Sequence, residues 1–442
     1  MDRRMKVISI LSMAFAMLCT GPAFAAAGAS LSDAPELGNS GPLAVGFREI
    51  VLNDGPQAWP GNSASARPMP LAIWYPAERA ASSQIACYRF SPPPIPNRAA
   101  AKDDKLTECG TALADAAPVK AHHPVVLISH GYGGWATGFS WLAENLASKG
   151  YVVISIDHRD LPAATPEQQS LSFAHTVMTR SADQRHLIET LASRRMPKWL
   201  DAVTDPDRIA LIGYSMGGFG ALATAGAPYL KTGALAAAMQ GRLPETGAAP
   251  AALKALILFA PWGGAEPLRA WSAESLATIT LPTLMLVGRE DDVVTYSGVD
   301  WIFDSLGGSK RLMIVYDAAR HNIAANAVPA ALAGTFDYRE RLDEPVWRKD
   351  RLNTINAHFI TALLDSRLKG DAKAADFLRL PTERAEDGVW PLEPGSAAGA
   401  ALATSAQPDH WPGFQRRWAV GMSHRSSDPR ALPPAIPERG QE

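Results

Sequence analysis

The chain has 442 residues, of which 47% are hydrophobic and 19% are charged. This composition is ordinary for a globular protein of one to three domains. The formal net charge of −2 argues against a dedicated nucleic-acid binder, which needs a basic surface to displace counterions, and against an acidic disordered chain.

The N-terminal segment has the layout of a secretory signal peptide. Three basic side chains among the first six residues precede an apolar run over residues 7–18 and then small residues before position 26. An uncleaved membrane anchor is the alternative, but the apolar run is shorter than the roughly 20 residues that a span needs. We predict a signal peptide over 1–25, a linker over 26–42, and a periplasmic or secreted mature protein without a membrane span.

Two cysteines remain after removal of the signal peptide. Cys87 and Cys109 enclose a proline-rich loop within an insertion over residues 80–120. In an oxidising compartment such a pair is expected to form a disulfide rather than two free thiols. The pair alone is too small to be a zinc site.

Eight strand-like runs alternate with helical segments between residues 43 and 380, which predicts one catalytic domain. Such alternation is typical of a mostly parallel sheet covered by helices on both faces. A polar loop is predicted over 161–181, and an Ala/Gly/Pro-rich tail with one ordered patch over 381–442. The runs are residues 45–52, 71–75, 125–129, 151–156, 208–212, 253–259, 282–287 and 311–315.

The sequence Gly-Tyr-Ser-Met-Gly at residues 213–217 is the strongest chemical motif. The pattern Gly-x-Ser-x-Gly is weak alone, but here it follows a predicted strand and precedes a predicted helix. This is the setting of a nucleophile elbow, in which a tight turn presents the serine at the edge of the sheet. We therefore predict Ser215 as the nucleophile.

A serine hydroxyl needs a base to take its proton, and an acid to orient that base. His321 follows the last predicted strand, and Asp291 follows the strand before it. The order Ser215, Asp291, His321 is the chain order of α/β-hydrolases. Asp292 is the alternative acid.

The developing oxyanion needs hydrogen-bond donors. The sequence His-Gly-Tyr-Gly-Gly at residues 130–134 follows a predicted strand, and its glycines let the backbone approach the serine. We expect the backbone N–H groups of Tyr132 and Met216 to form the oxyanion hole. His130, at the strand end, is predicted to be structural.

Residues 124–325 resemble serine α/β-hydrolases of the dienelactone-hydrolase-like, platelet-activating-factor-acetylhydrolase and cutinase-like polyester hydrolase groups. This resemblance implies an α/β-hydrolase fold with an eight-stranded, mostly parallel sheet. Tyr132 and Met216 match the oxyanion pair of the cutinase-like group. Trp262 matches an aromatic residue that lines the substrate cleft there, with core packing as the alternative. The matching segments are Ile-Ser-His-Gly-Tyr at 128–132, Trp-Leu-Ala at 141–143, Gly-Tyr-Val-Val at 150–153, the elbow at 213–218, Ala-Pro-Trp at 260–262, Gly-Arg-Glu-Asp at 288–291 and Ala-Arg-His at 319–321.

The chain also departs from these groups. Dienelactone hydrolases use a cysteine nucleophile, whereas this chain has Ser215, and it continues about 120 residues beyond His321. The disulfide insertion and the loop over 161–181 would narrow or cover the cleft. These additions favour a small soluble ester over a polymer.

The prediction is an exported serine hydrolase that cleaves carboxylic esters through an acyl-enzyme, without metal or organic cofactor. Its partner would be a small-molecule or lipid-like ester and no nucleic acid. A short-acyl phospholipid and a polyester are alternative substrates. Amide or lactone cleavage, or acyl transfer to an alcohol, would use the same residues. A binding module without catalysis is the alternative of a different class.

Four other histidine or aromatic features carry weaker predictions. His122 and His123 point to opposite sides of a strand, so a shared metal ion is not expected. His158 is expected in a solvated loop, and His358 on a helix as a surface or packing residue. Trp411, Trp418 and Phe414 are expected to pack the tail onto the body.

Overall fold

A computed structural model describes residues 31–56, 66–90, 106–327, 332–390 and 409–427, apart from positions 81, 162, 164, 309 and 333. The predicted signal peptide lies outside the described residues. The strands are β1 Ala44–Gly55, β2 Arg67–Ala77, β3 Ile85–Phe90, β4 Leu106–Ala114, β5 His123–Ser129, β6 Val152–Ile156, β7 Thr204–Tyr214, β8 Leu253–Phe259, β9 Thr283–Gly288, β10 Arg311–Tyr316 and β11 Met422–Ser426. The helices are α1 Ser140–Ser148, α2 Pro166–Ala192, α3 Lys198–Asp201, α4 Met216–Thr224, α5 Ala234–Ala238, α6 Ala273–Ala277, α7 Tyr296–Ser305, α8 Phe336–Leu342 and α9 Lys349–Leu364.

The eleven strands found among the described residues form one sheet in the order β11-β10-β9-β8-β7-β5-β6-β2-β1-β4-β3. The six strands from β10 to β6 are mutually parallel, and every residue of β5, β6 and β9 is buried. These strands are apolar on both faces, because helices cover both sides of the sheet. This is the predicted α/β architecture.

The number of strands differs from the predicted eight. The eight predicted runs are the central strands β1, β2 and β5–β10, and the structure adds β3 and β4 at one edge and β11 at the other. β3 and β4 lie in the predicted insertion and form a hairpin. β11 pairs antiparallel with β10, although its sequence Met-Ser-His-Arg-Ser is too polar to be recognised as a strand.

The loop prediction for residues 161–181 is wrong over most of its length, because α2 begins at Pro166. Thr165 caps this helix: its hydroxyl accepts from the Gln168 N–H, and the Gln168 side chain accepts from the Thr165 N–H. Proline at the first helical position fits the same helix start. The sequence therefore contains a capping box, but the polar composition of the segment led to the prediction of a loop.

Residues 31–42, predicted as a linker, pack against the body of the protein. Lys149, the residue that follows α1, donates to the Leu37 carbonyl at 2.6 Å. The segment also meets the C-terminal region, since the Glu36 N–H donates to the Gly413 carbonyl at 2.9 Å. Trp411 is fully buried and packs against Phe359 of α9. Both chain ends of the described region therefore cover the same side of the sheet.

Cys87 and Cys109 form a disulfide between β3 and β4. Glu144 of α1 holds this hairpin against the body by accepting from the Thr111 hydroxyl at 2.6 Å and from the Tyr88 hydroxyl. Because Glu144 is buried, these bonds compensate for the loss of water around its carboxylate.

Candidate active site

Ser215 lies at the sharp turn between the end of β7 and the start of α4. Its backbone has φ 53° and ψ −114°, an unfavourable conformation for a residue with a side chain. The neighbouring glycines are required by space: a Cβ on Gly217 would lie 2.0 Å from the Ser129 carbonyl oxygen, and one on Gly213 would lie 2.5 Å from the Gly217 oxygen. This geometry is that of a nucleophile elbow.

Asp291 and His321 are joined by a hydrogen bond of 2.8 Å between Oδ2 and Nδ1. The other carboxylate oxygen of Asp291 accepts from the N–H groups of Val293 and Val294, each at 2.9 Å. Burial raises the pKa of Asp291, but the His321 contact and these two N–H groups outweigh it, so the pKa lies below its ordinary value. Asp291 is therefore placed to hold a negative charge beside the imidazole.

Asp292, the alternative acid, is turned away from the histidine. Its carboxylate is exposed and pairs with Arg320 at 2.6 Å. The structure thus brings Asp291, and not Asp292, to His321.

Tyr214, the residue before Ser215, connects the elbow to the histidine. Its ring lies against the imidazole of His321, with ring centres 5.0 Å apart. Its hydroxyl donates to the Asn322 side-chain oxygen at 3.2 Å. Burial raises the pKa of Tyr214, which keeps the hydroxyl protonated as a donor. The sequence analysis did not identify Tyr214, because its only signal in the sequence is its position next to Ser215.

The loop that contains Tyr132 passes directly over the elbow. A Cβ on Gly131 would lie 3.2 Å from the Ser215 Cβ, which is tighter than most such contacts, so a side chain there would crowd the serine. Within the described residues the Tyr132 N–H donates no hydrogen bond. The Met216 N–H begins α4 and has no partner inside the helix. Both N–H groups of the predicted pair are therefore available beside Ser215.

Trp262 lies next to Ser215, and its backbone N–H donates to the Ser215 carbonyl at 3.1 Å. Its indole is partly buried between two rings, Phe219 at 5.5 Å and Phe173 at 5.4 Å between ring centres. Phe173 belongs to the first turns of α2, which sequence reasoning had treated as a loop. The indole packs against the hydrophobic core, and the backbone of the same residue lies beside Ser215.

His158 is fully buried, which contradicts the expectation of a solvated loop. Its ring joins the Ser129 hydroxyl at 2.7 Å and the Asp183 carboxylate at 2.8 Å. Asp183 comes from α2, and its carboxylate also pairs with Arg67 of β2. These long-range partners enclose His158, and they could not be read from the residues beside it. Burial lowers its pKa well below the ordinary value.

His130 lies behind the Tyr132 loop, where its ring is buried and contacts the Gly131 carbonyl. His358 is also buried, against the rings of Phe377 and Phe414. Trp418 is partly exposed beside Arg351. No group of His, Cys, Asp and Glu among the described residues is arranged to hold a metal ion.

Residues 115–244 match a protein-family model described as PET hydrolase-like. This region includes the Tyr132 loop and Ser215 and ends before Asp291. The chain has the α/β-hydrolase fold and is similar to cutinases and PET hydrolase-like proteins over part of its length.

Three cutinases show the extent of this relationship. The α/β-hydrolase is 30% identical over 172 residues to Cutinase 1 of Thermobifida cellulosilytica, covering 38% of this chain and 48% of the relative. It is equally similar to a cutinase of Thermobifida fusca (strain YX), of which it covers 42%. Cutinase est2 of Thermobifida alba is 28% identical over the same length, and 42% of it is covered. The match spans about half the length of these relatives or less.

In the described part of the α/β-hydrolase, every helix is too short or too polar to cross a bilayer.

Proposed function

We propose that this α/β-hydrolase is an exported serine hydrolase of carboxylic esters. The observation that carries the proposal is the contact between the Tyr214 ring, next to the strained Ser215 turn, and the His321 imidazole, which Asp291 orients. The similarity to cutinases supports ester bonds as the substrate class. A binding module without catalysis would have no need for a strained elbow or for a buried carboxylate held against an imidazole.

The reaction follows from the placement of these groups. His321 Nε2 takes the proton of Ser215 Oγ as that oxygen attacks the ester carbonyl carbon. The carbonyl oxygen becomes an oxyanion, which the N–H groups of Tyr132 and Met216 stabilise. The imidazolium then gives its proton to the leaving alcohol, and the acyl group stays on Ser215.

Deacylation uses the same residues in reverse. His321 takes a proton from water, the resulting hydroxide equivalent attacks the acyl carbon, and the proton returns to Ser215 Oγ as the acid leaves. Asp291 stays ionised throughout and stabilises the imidazolium. Transfer to another alcohol would replace water in this second half.

We infer that α2 restricts the site and so favours small esters. Phe173 of α2 packs against Trp262, whose backbone N–H bonds to the Ser215 carbonyl. This places one side chain of α2 close to the proposed nucleophile. The similarity to PET hydrolase-like proteins and cutinases makes a polyester the second candidate substrate.

Export is supported by two features. The basic and apolar start fits a signal peptide, and the Cys87–Cys109 disulfide fits an oxidising compartment. N-terminal sequencing of the periplasmic and secreted protein, together with non-reducing mass spectrometry, tests both.

The catalytic proposal is tested with a fluorophosphonate probe that labels activated serines. Wild-type protein should be labelled at Ser215 and should hydrolyse a short chromogenic ester. Ser215→Ala should abolish both while the circular dichroism spectrum stays unchanged. Folded wild-type protein that is neither labelled nor active on esters would contradict the proposal.

A further inference from the structure

A buried ion pair lies behind the proposed oxyanion loop. Arg180 of α2 binds Asp160 through two bonds, at 2.7 and 2.6 Å, and its side chain is fully buried. The same two residues hold the loop: Arg180 Nη2 donates to the Gly131 carbonyl at 3.1 Å, and the Gly133 N–H donates to Asp160 Oδ2 at 2.8 Å. The residues on both sides of Tyr132 are thus fixed by one pair.

The contact to Gly131 acts directly on the proposed oxyanion donor. The Gly131 carbonyl and the Tyr132 N–H are the two ends of one planar trans peptide and point in opposite directions. A donor that fixes the carbonyl therefore fixes the direction of the N–H. Hydrogen bonding to the carbonyl also polarises the peptide, which strengthens the N–H as a donor.

His130 adds a second donor to the same carbonyl. Its Nε2 accepts from the His158 backbone N–H at 3.2 Å, so the ring proton must lie on Nδ1. Nδ1 is 2.7 Å from the Gly131 oxygen and donates to it. Two donors on one carbonyl leave the peptide little freedom to rotate.

We propose that Arg180 is a positioning residue for ester hydrolysis, which aims the Tyr132 N–H at the oxyanion through the Gly131 carbonyl, with Asp160 holding Gly133 on the other side. The inference rests on the proposed function, because an oxyanion forms only if Ser215 attacks a carbonyl.

Two variants at the pair test this role. Arg180→Lys keeps the charge, but a compact ammonium cannot serve the Gly131 oxygen and both Asp160 oxygens together. Asp160→Asn is milder, because its amide oxygen still accepts one bond. The matched control is Arg185→Met in the same helix, since Arg185 donates to the carbonyls of Thr224 and Gly247, away from the loop.

Each variant is measured with a short chromogenic ester and with a trifluoromethyl ketone, which forms a tetrahedral oxyanion adduct on an activated serine. Losing one oxyanion donor costs about 100- to 1000-fold in kcat, so misdirecting it in Arg180→Lys should cost about 10- to 100-fold, and Asp160→Asn about tenfold. KM should change less than about threefold, and ketone affinity should fall with kcat. Arg185→Met should leave all three close to wild type.

The outcomes distinguish a failure of the positioning role from a failure of the proposed function. If wild-type protein is labelled and active but both variants keep wild-type kcat and ketone affinity, the positioning role is wrong. Losses of kcat and ketone affinity in Arg185→Met equal to those in Arg180→Lys would also overturn it. If Arg180→Lys does not fold, Asp160→Asn decides on the same criteria. An inactive, unlabelled wild-type protein would overturn the proposed function and the inference together.

Discussion

The phenol ring of Tyr214 lies against the imidazole of His321, and the Tyr214 hydroxyl donates to Asn322, the next residue. The residue before the proposed nucleophile therefore contacts and supports the residue proposed as the base. This contact joins the end of β7 to the loop after β10, across two intervening strands of the sheet.

Removal of the Tyr214 ring should slow the reaction more than removal of its hydroxyl. Tyr214→Ala leaves space in which the imidazole can rotate, and kcat should fall about 10- to 100-fold, since small misplacements of reacting groups are costly. Tyr214→Phe keeps the ring contact and should lose less than about fivefold on the same physical grounds. Steady-state kinetics with a short ester measures both, and equal losses in the two variants would argue against the ring contact.

The two adjacent aspartates should differ sharply in their effect. Asp291→Asn removes the charge that stabilises the His321 imidazolium, and kcat should fall about 10³- to 10⁴-fold. Asp292→Asn breaks only an exposed ion pair with Arg320 and should change kcat less than about threefold. Kinetics of the two variants at equal folded concentration is the test. A large loss in Asp292→Asn with a small one in Asp291→Asn would reassign the acid.

The sequence was sufficient to predict those features that a local pattern of residues determines. The central eight strands are continuous apolar runs between helical segments, and the elbow is a local motif, so both were predictable. The roles of His158 and Arg180 were not, because their partners are distant in sequence. His158 bonds to Ser129 of β5 and to Asp183 of α2, and Arg180 bonds to Gly131 in the loop after β5. The start of α2 was predictable in principle, because its capping box is a local pattern. It was overlooked because the segment around it is polar and therefore resembles a loop.

Lys149 should make stability depend on pH in the alkaline range. Burial lowers its pKa to about 7, whereas the unfolded chain keeps a value near about 10.4. Between these values the unfolded state holds a proton that the folded state has released, so the free energy of unfolding should rise with pH. From pH 7 to 10 the rise should be on the order of a few kcal/mol.

The test compares Lys149→Met with wild type in urea at several pH values. The variant loses the hydrogen bonds to Leu37, Asn145 and Thr361 and should be destabilised. Its gap to wild type should widen from pH 7 to 10. Lys254→Met is the exposed control and should follow wild type. A constant gap for Lys149→Met would show that its pKa is the same in both states.

Phe173 should set the range of acyl chains that the enzyme accepts. Its ring contacts Trp262, whose backbone N–H bonds to the Ser215 carbonyl, so the side chain lies close to the proposed nucleophile. Phe173→Ala should open this wall and raise kcat/KM for long-chain esters relative to acetate by about tenfold, since each methylene that gains burial contributes about 0.8 kcal/mol. A series of p-nitrophenyl esters of increasing acyl length measures the ratio. Leu171→Ala, an exposed neighbour in α2, is the matched control and should leave the ratio unchanged. If both variants give the wild-type ratio, α2 does not limit acyl length and the preference for small esters loses its structural basis.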